Sequence, residues 1–343
     1  MVVYAQEGHS INPVFHCLHT ALIKRGVSLR RFDFWFIPRK DAVIYVHAPE
    51  AYFGSPSTLR MLVNTTCFIL SLLTAKLLRC RVIWSVNNVQ SHEGRYPRAE
   101  RIVMAIFGHF VDGIIHMSQT SLIECKQKYS YFNDIPTVII PHINFSSIYP
   151  LRGNCKRGRS LISVGENDIV ILAFGAIRRY KGIDRLINAF KEVQDSRLRM
   201  VIAGLPVDQT YTKELCASVQ GDTRVRLLLR EIANDEVPDL FAATTLMCST
   251  FTAILNSGSV MLALTFGCPV LAARLGSFQD LQEQIGPEWL RLYDGQLSGD
   301  ILAEGIRWAK VSDRDSPSLS FADLGKVTAE IVQFFRYVQS VDV

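Results

Sequence analysis

Apolar residues in this chain fall into short unbroken runs, separated by polar stretches in which they recur every three or four positions. Runs occur at residues 2–5, 42–47, 81–86, 113–116 and 137–140, and again at 169–173, 199–203, 225–229, 246–248 and 269–272. Such runs read as strands of a parallel sheet covered on both faces. Residues 14–25, ended by Gly26, read as a helix, as do stretches beginning near 118, 184 and 256; the last ends at Gly267. Strand–helix alternation on both sides of residue 150 predicts an α/β protein with two Rossmann-like domains, 1–150 and 151–320. An amphipathic helix over 321–338 is expected to carry the tail, 321–343, back onto the first domain. Residues 151–160 hold glycine, serine and four cations without periodicity, and read as the hinge between the domains.

One stretch interrupts this rhythm. Residues 59–78 are apolar apart from Arg60, Asn64, Thr65, Thr66, Ser71, Thr74 and Lys76, and approach the length of a membrane span. Three readings stay open: a crossover helix with one side facing a membrane, a fully buried helix, or a spanning helix. The flanking Arg60, Arg79 and Arg81 favour the first, and Arg95, Arg98 and Arg101 would extend the same face.

The chemistry concentrates at the end of the strand at 169–173. Between that strand and the next helix stand Gly175, Arg178, Lys181 and Gly182. A glycine-lined turn lets backbone N–H groups approach an anion, the helix dipole favours negative charge there, and Arg and Lys add charge-assisted bonds. This pattern suits a diphosphate. A second polar turn, Asn256-Ser257-Gly258-Ser259, caps the helix that ends at Gly267 and supplies hydroxyls and free N–H groups.

The segment from Phe174 to Asp184, Phe-Gly-Ala-Ile-Arg-Arg-Tyr-Lys-Gly-Ile-Asp, resembles the donor-diphosphate loop of GT-B glycosyltransferases of family 4, and more closely the xanthan-pathway GDP-mannose β-mannosyltransferase type. Residues 252–272 and 285–295 resemble the same type. The resemblance implies a GT-B fold, two Rossmann-like domains with an interdomain cleft, the first binding an acceptor at a membrane and the second a nucleotide-sugar. It implies donor contacts from Gly175, Arg178, Lys181, Ile232 beside the base, Asn256, Ser257, Gly258 and Ser259. Glu7, His9, Asn12 and His142 would line the acceptor side, although the first three also suit an ordinary loop closed by Asn12-Pro13. Retaining family 4 enzymes carry two glutamates eight positions apart where this chain has Ile254 and Leu262. That departure favours an inverting enzyme, which needs one base. His92, Glu93 and Glu50 are the candidates, with His47 beside them; Asn87 stands where the family loop ending at His92-Glu93 begins with His.

Composition narrows the partners. Residues 1–150 carry 15 Lys+Arg against 9 Asp+Glu, and the remainder 22 against 23, so the excess of cations lies wholly in the first half. An anionic membrane surface or lipid diphosphate suits that half, and no aromatic-basic motif points to nucleic acid. All eight histidines lie at or before His142, so a histidine base has to come from the first domain. The eight cysteines are scattered without paired spacing, as expected of reduced thiols. No signal peptide, cofactor or metal is expected. The expected activity is transfer of a hexose, mannose from GDP-mannose, to a polyprenyl-diphosphate-linked oligosaccharide in exopolysaccharide synthesis, by a cytoplasmic protein peripheral to the plasma membrane. The alternatives are a retaining enzyme using a UDP-sugar and a non-catalytic sugar-nucleotide-binding partner subunit.

Overall fold

The computed structural model describes residues 1–6, 13–32, 35–53, 55, 57–89, 96–311 and 315–341. The chain forms two compact units, Met1–Ile143 together with Phe321–Val343, and Asn144–Ser320. Each is built on one six-stranded parallel sheet.

In the first unit the strands are β1 (Val2–Gln6), β2 (Ser28–Phe32), β3 (Val43–Val46), β4 (Arg81–Val86), β5 (Val111–His116) and β6 (Thr137–Ile139), in the spatial order β2-β1-β3-β4-β5-β6. The intervening helices are α1 (Pro13–Lys24), α2 (Glu50–Phe53), α3 (Thr58–Leu77), α4 (Pro97–Gly108) and α5 (Gln119–Lys128). The central strands are buried along nearly their whole length, which is why their sequences are continuously apolar. Edge strand β2 reads Ser-Leu-Arg-Arg-Phe and is mostly exposed, so no apolar run announces it.

Helix α3 packs Met61, Phe68, Leu72 and Ala75 inward, with Phe68 stacked on Tyr52 at 3.9 Å. The fully buried reading of this helix is overturned, because Leu59 and Leu77 are 72% and 85% exposed.

The second unit runs α6 (Cys155–Leu161), β7 (Ile169–Phe174), α7 (Ile183–Glu192), β8 (Leu198–Ala203), α8 (Gln209–Ser218), β9 (Val225–Leu228), α9 (Val237–Ala242), β10 (Leu246–Ser249), α10 (Gly258–Thr265), β11 (Val270–Ala273), α11 (Phe278–Ile285), β12 (Leu290–Tyr293) and α12 (Gly299–Ala309). The sheet order is β12-β11-β10-β7-β8-β9. Ile171, Leu186, Phe190, Met200 and Ile202 sit in one core between the sheet and its helices.

The last helix, α13 (Leu324–Ser340), packs within the first unit. Phe335 meets Tyr45 edge-on at 5.0 Å, and Arg25 Nε donates to Thr328 Oγ1 at 2.9 Å. Gly113 on β5 permits the approach, since a Cβ there would lie 2.7 Å from Val338 Cγ2.

The hinge reading of residues 151–160 is corrected, and the boundary between units falls earlier, after Ile143. Instead of a free linker the segment enters α6, capped by Asn154 and packed on α9. Asn154 N donates to Asp239 Oδ1 at 2.6 Å, and Arg157 pairs with the same carboxylate. The glycines are there for contact, because a Cβ on Gly153 or Gly158 would lie 1.9 Å from the Pro238 or Asp239 carbonyl oxygen.

Replacing Gly158 by Ala should therefore destabilise the protein by about 1–3 kcal/mol, although Ala in an open helix gains roughly 1 kcal/mol over Gly. A urea unfolding midpoint that rises instead would show that α6 is not docked on α9.

Candidate active site

In an open parallel sheet the chain leaves a crevice where the strand order reverses, at the carboxyl ends of the two strands flanking the reversal. In the second unit that point lies between β7 and β10, since β8 and β9 extend one way and β11 and β12 the other. Both polar turns singled out from the sequence follow these two strands.

After β7, Gly175 adopts φ +104° and Gly182 φ +60°, left-handed conformations that glycine adopts without strain. Their missing side chains also leave necessary room. A Cβ on Gly175 would lie 2.6 Å from Lys181 Nζ, and one on Gly182 would lie 2.2 Å from the Thr250 carbonyl oxygen. Lys181 folds back so that Nζ donates to the Phe174 carbonyl at 3.2 Å and sits 5.5 Å from the centre of the Phe251 ring. Burial, and secondarily the nearby Arg178 charge, push its pKa down from 10.5 to about 8. No carboxylate among the described residues holds this ammonium, whose charge an anion at the turn would balance.

The loop after β10 is fastened to this turn. Thr250 Oγ1 lies 3.0 Å from the Lys181 carbonyl and 2.8 Å from that of Gly182. Thr252 N donates to the Tyr180 carbonyl at 2.8 Å, and Tyr180 and Phe251 stack at 6.0 Å. A few residues on, Ser257 caps α10 by accepting from Val260 N at 3.3 Å, and its hydroxyl lies 3.1 Å from that of Ser259. The cap occupies the third N–H of the helix, leaving those of Gly258 and Ser259 for a ligand. The hydrophobic remainder of α10, Val260 to Leu264, is buried and anchors this end. Leu262 is part of that core, and neither it nor Ile254 offers a carboxylate.

From the other side, α8 braces the start of α7. The Tyr211 hydroxyl accepts from Asp184 N at 3.0 Å and donates to the Asp184 carboxylate. Arg179 lies 4.8 Å over the Tyr211 ring and bonds Glu214 at 2.9 Å. Thr250 and Tyr211 lie outside the motif stretches and Thr252 only opens the second of them; the tertiary contacts give all three a role. Ile232 is buried at the turn after β9. That turn is set by the two-pronged Arg230–Glu236 pair, with Glu236 also accepting from Ala233 N.

In the first unit the reversal lies between β1 and β3. Gln6 ends β1 and bridges it: its Oε1 accepts from His47 N at 3.0 Å and Ala48 N at 2.8 Å, and its Nε2 donates to the Ala48 carbonyl. Glu50 opens α2 just beyond. Burial pushes its pKa up to about 7, and Asn88 Nδ2 lies 3.5 Å from Oε1. A carboxyl poised near neutrality has the acidity of a general base.

His47 is corrected from proton-transfer candidate to core residue. It is buried against the rings of Tyr45 and Phe15, and burial lowers its pKa to about 3. His142 donates from Nδ1 to the Ile143 carbonyl at 2.7 Å, and burial lowers its pKa, partly offset by that bond. Glu7, His9, Asn12, His92 and Glu93 lie outside the described residues.

Residues 161–284 match the family profile of glycosyl transferases group 1. The chain is 26% identical over 321 residues to the GDP-mannose:glycolipid 4-β-D-mannosyltransferase of Xanthomonas campestris pv. campestris, covering 92% of this chain and 84% of that one. HepE of Anabaena, solved in complex with UDP, superposes with a TM-score of 0.68 at 15% identity over 98% of this chain and 99% of its own. WaaG, a glycosyltransferase involved in lipopolysaccharide biosynthesis, superposes at 0.64 and 15% identity over 100% and 96%. The fold is GT-B, and the chain is a glycosyltransferase, its likeness to the group 1 family lying within the second unit.

A diphosphate at this turn would be held by Lys181 only while the ammonium is charged, and the free protein loses that proton as pH rises through about 8. The dissociation constant for a nucleotide-sugar should rise about fourfold between pH 7 and 8.5, and stay flat in Lys181→Arg. Between about 8 and 10.5 only the unfolded chain still holds the proton, so this residue adds stability as pH rises there. Titration calorimetry giving a flat wild-type profile would remove Lys181 from the anion site.

Proposed function

We propose that this protein transfers mannose from GDP-mannose, with inversion, to a lipid-linked oligosaccharide in exopolysaccharide synthesis. The observation that carries the reading is the desolvated Lys181 ammonium, held without a carboxylate at the glycine-lined end of β7 and fastened to the loop that leads into α10. The likeness to the Xanthomonas GDP-mannose:glycolipid enzyme extends over nearly the whole chain and supports both the donor and the acceptor class. The reading includes a cytoplasmic, peripheral location, where a lipid-linked acceptor is met.

In this mechanism Glu50 accepts the proton of the acceptor hydroxyl as its oxygen attacks the anomeric carbon of mannose. The bond from that carbon to the diphosphate oxygen breaks, and its electron pair leaves with the nucleoside diphosphate. Lys181, Arg178 and the N–H groups of Gly258 and Ser259 stabilise the departing charge. Ile232 packs beside the nucleobase, Asn256 and Ser257 bound the donor site, and His142 stands on the acceptor side. His92 and Glu93 remain the other base candidates.

A retaining reaction with a UDP-sugar is the second reading, favoured by the UDP held by HepE. Leu262 and Ile254 argue against it, because the carboxylates such enzymes place there are missing.

Three measurements separate these readings. GDP at a hundredfold excess over its dissociation constant should stabilise the fold by about 2.7 kcal/mol, and UDP much less. The product formed from GDP-mannose should be the β-anomer; an α-linked product sinks the inverting mechanism. Glu50→Gln should lower kcat by about 10²–10⁴-fold while leaving GDP-induced stabilisation intact, and should abolish the acid limb of the wild-type pH profile near pH 7. If Glu50→Gln retains full activity, the base lies elsewhere in the first unit.

A further inference from the structure

Two helices far apart in the chain meet over a concave surface of the first unit. Lys24 and Arg25 come from the end of α1, and Ala329, Val332, Gln333 and Arg336 from one face of α13. Together they line a groove of about 580 Å³, a volume within the range of small-molecule sites.

The charged groups of this lining are all cations. Lys24, Arg25 and Arg336 are exposed, and among the described residues none of them is paired with a carboxylate. Glu330 stands beside the lining face of α13 but is not part of it. Between Glu7 and Asp33 the chain has no acidic residue, while Lys24, Arg25, Arg30 and Arg31 all fall there.

Arg25 is held in place. Its Nε donates to Thr328 Oγ1 at 2.9 Å and its Nη2 to the Gly325 carbonyl at 2.5 Å. The Thr328 hydroxyl is itself fixed by donating to the Leu324 carbonyl at 2.7 Å. These bonds use one edge of the planar guanidinium and leave the Nη1 edge for a ligand. They also seat the group at the first turn of α13, where the helix dipole opposes a cation and favours an anion. The dipole accounts for Lys24, in the last turn of α1, but not for Arg25 or for Arg336, which lies before the last turn of α13. Cations gathered around one concavity repel one another, and an anion among them relieves that repulsion.

The groove lies away from the acceptor side of the same sheet. Lys24 and Arg25 precede β2, whose first residue donates from Ser28 N to the Met1 carbonyl at 2.9 Å, at the amino end of β1. Gln6 and Glu50 stand at the carboxyl ends of β1 and β3. The length of the groove limits the occupant. From Ala329 to Arg336 the helix advances about 10 Å at 1.5 Å per residue, the reach of a diphosphate and of only about three extended peptide residues.

We propose that the groove between α1 and α13 is an anion site for a small, soluble, phosphate-bearing metabolite. The phosphate sits among Lys24, Arg25 and Arg336, the Gln333 amide bonds its oxygens or hydroxyls, and Ala329 and Val332 form the floor. The bound anion ties α1 to α13, the segment that follows the second unit in the chain. Neither the donor reading nor the base assignment enters into it.

The test is titration calorimetry of full-length Lys181→Ala with inorganic pyrophosphate, so that the diphosphate turn does not compete. Binding should persist at one equivalent and slow amide hydrogen exchange in residues 22–27 and 325–337. Adding Lys24→Gln and Arg336→Gln should weaken that binding about tenfold or more. The same pair in the wild type should leave the melting temperature and the GDP-induced stabilisation unchanged. No binding in Lys181→Ala overturns the proposal, as does binding that the paired substitutions leave intact. Equal protection by potassium chloride at matched ionic strength would reduce the groove to diffuse surface charge and overturn it. Tighter binding of a short poly-aspartate peptide than of pyrophosphate would assign the groove to a protein segment instead. Displacement of pyrophosphate by phosphatidylglycerol vesicles but not by soluble glycerol phosphate would make the ligand a lipid headgroup and overturn the soluble assignment.

Discussion

The second unit is organised around a half-buried ammonium that no carboxylate among the described residues balances. Lys181 is held by its bond to the Phe174 carbonyl and its place over the Phe251 ring. Neither contact neutralises its charge, and its pKa stays depressed. The surrounding features keep this arrangement from relaxing. Gly175 leaves space for the ammonium, Gly182 lets the backbone turn against Thr250, and Thr250 and Thr252 fasten the turn to the neighbouring loop. Preorganised positive charge of this kind is what a leaving diphosphate requires, because the protein need not reorganise as the charge develops.

The first unit shows the complementary device. Glu50 is raised toward neutrality by desolvation, whereas His47, three residues earlier, is driven to a low pKa by the same physical cause. Burial disfavours the charged form of either group. For a carboxyl that yields a base matched to neutral pH, and for an imidazole a permanently neutral ring. A histidine at the end of a strand looks like the better base in sequence; desolvation leaves the neighbouring glutamate nearer neutrality.

Glycines recur where backbones meet. Gly153 and Gly158 allow α6 to lie on α9, and Gly113 allows α13 onto β5. In each place the smallest side chain marks a contact rather than a flexible joint, so a glycine-containing stretch such as 151–160 resembles a hinge in sequence and is a docked helix in the structure.

The sequence alone determined the α/β class, the central strands and the glycine-rich character of the two polar turns, because burial on both faces demands continuous apolar runs and tight turns demand glycine. It also determined that residues 59–78 form one long apolar helix. Edge strand β2 stayed hidden because an exposed strand needs no apolar run. The tertiary structure decided which face of α3 is exposed, and that Thr250, Thr252 and Tyr211 support the diphosphate turn. It also separated Glu50 from His47. These are matters of desolvation and contact between segments far apart in the chain, and local pattern carries no record of them.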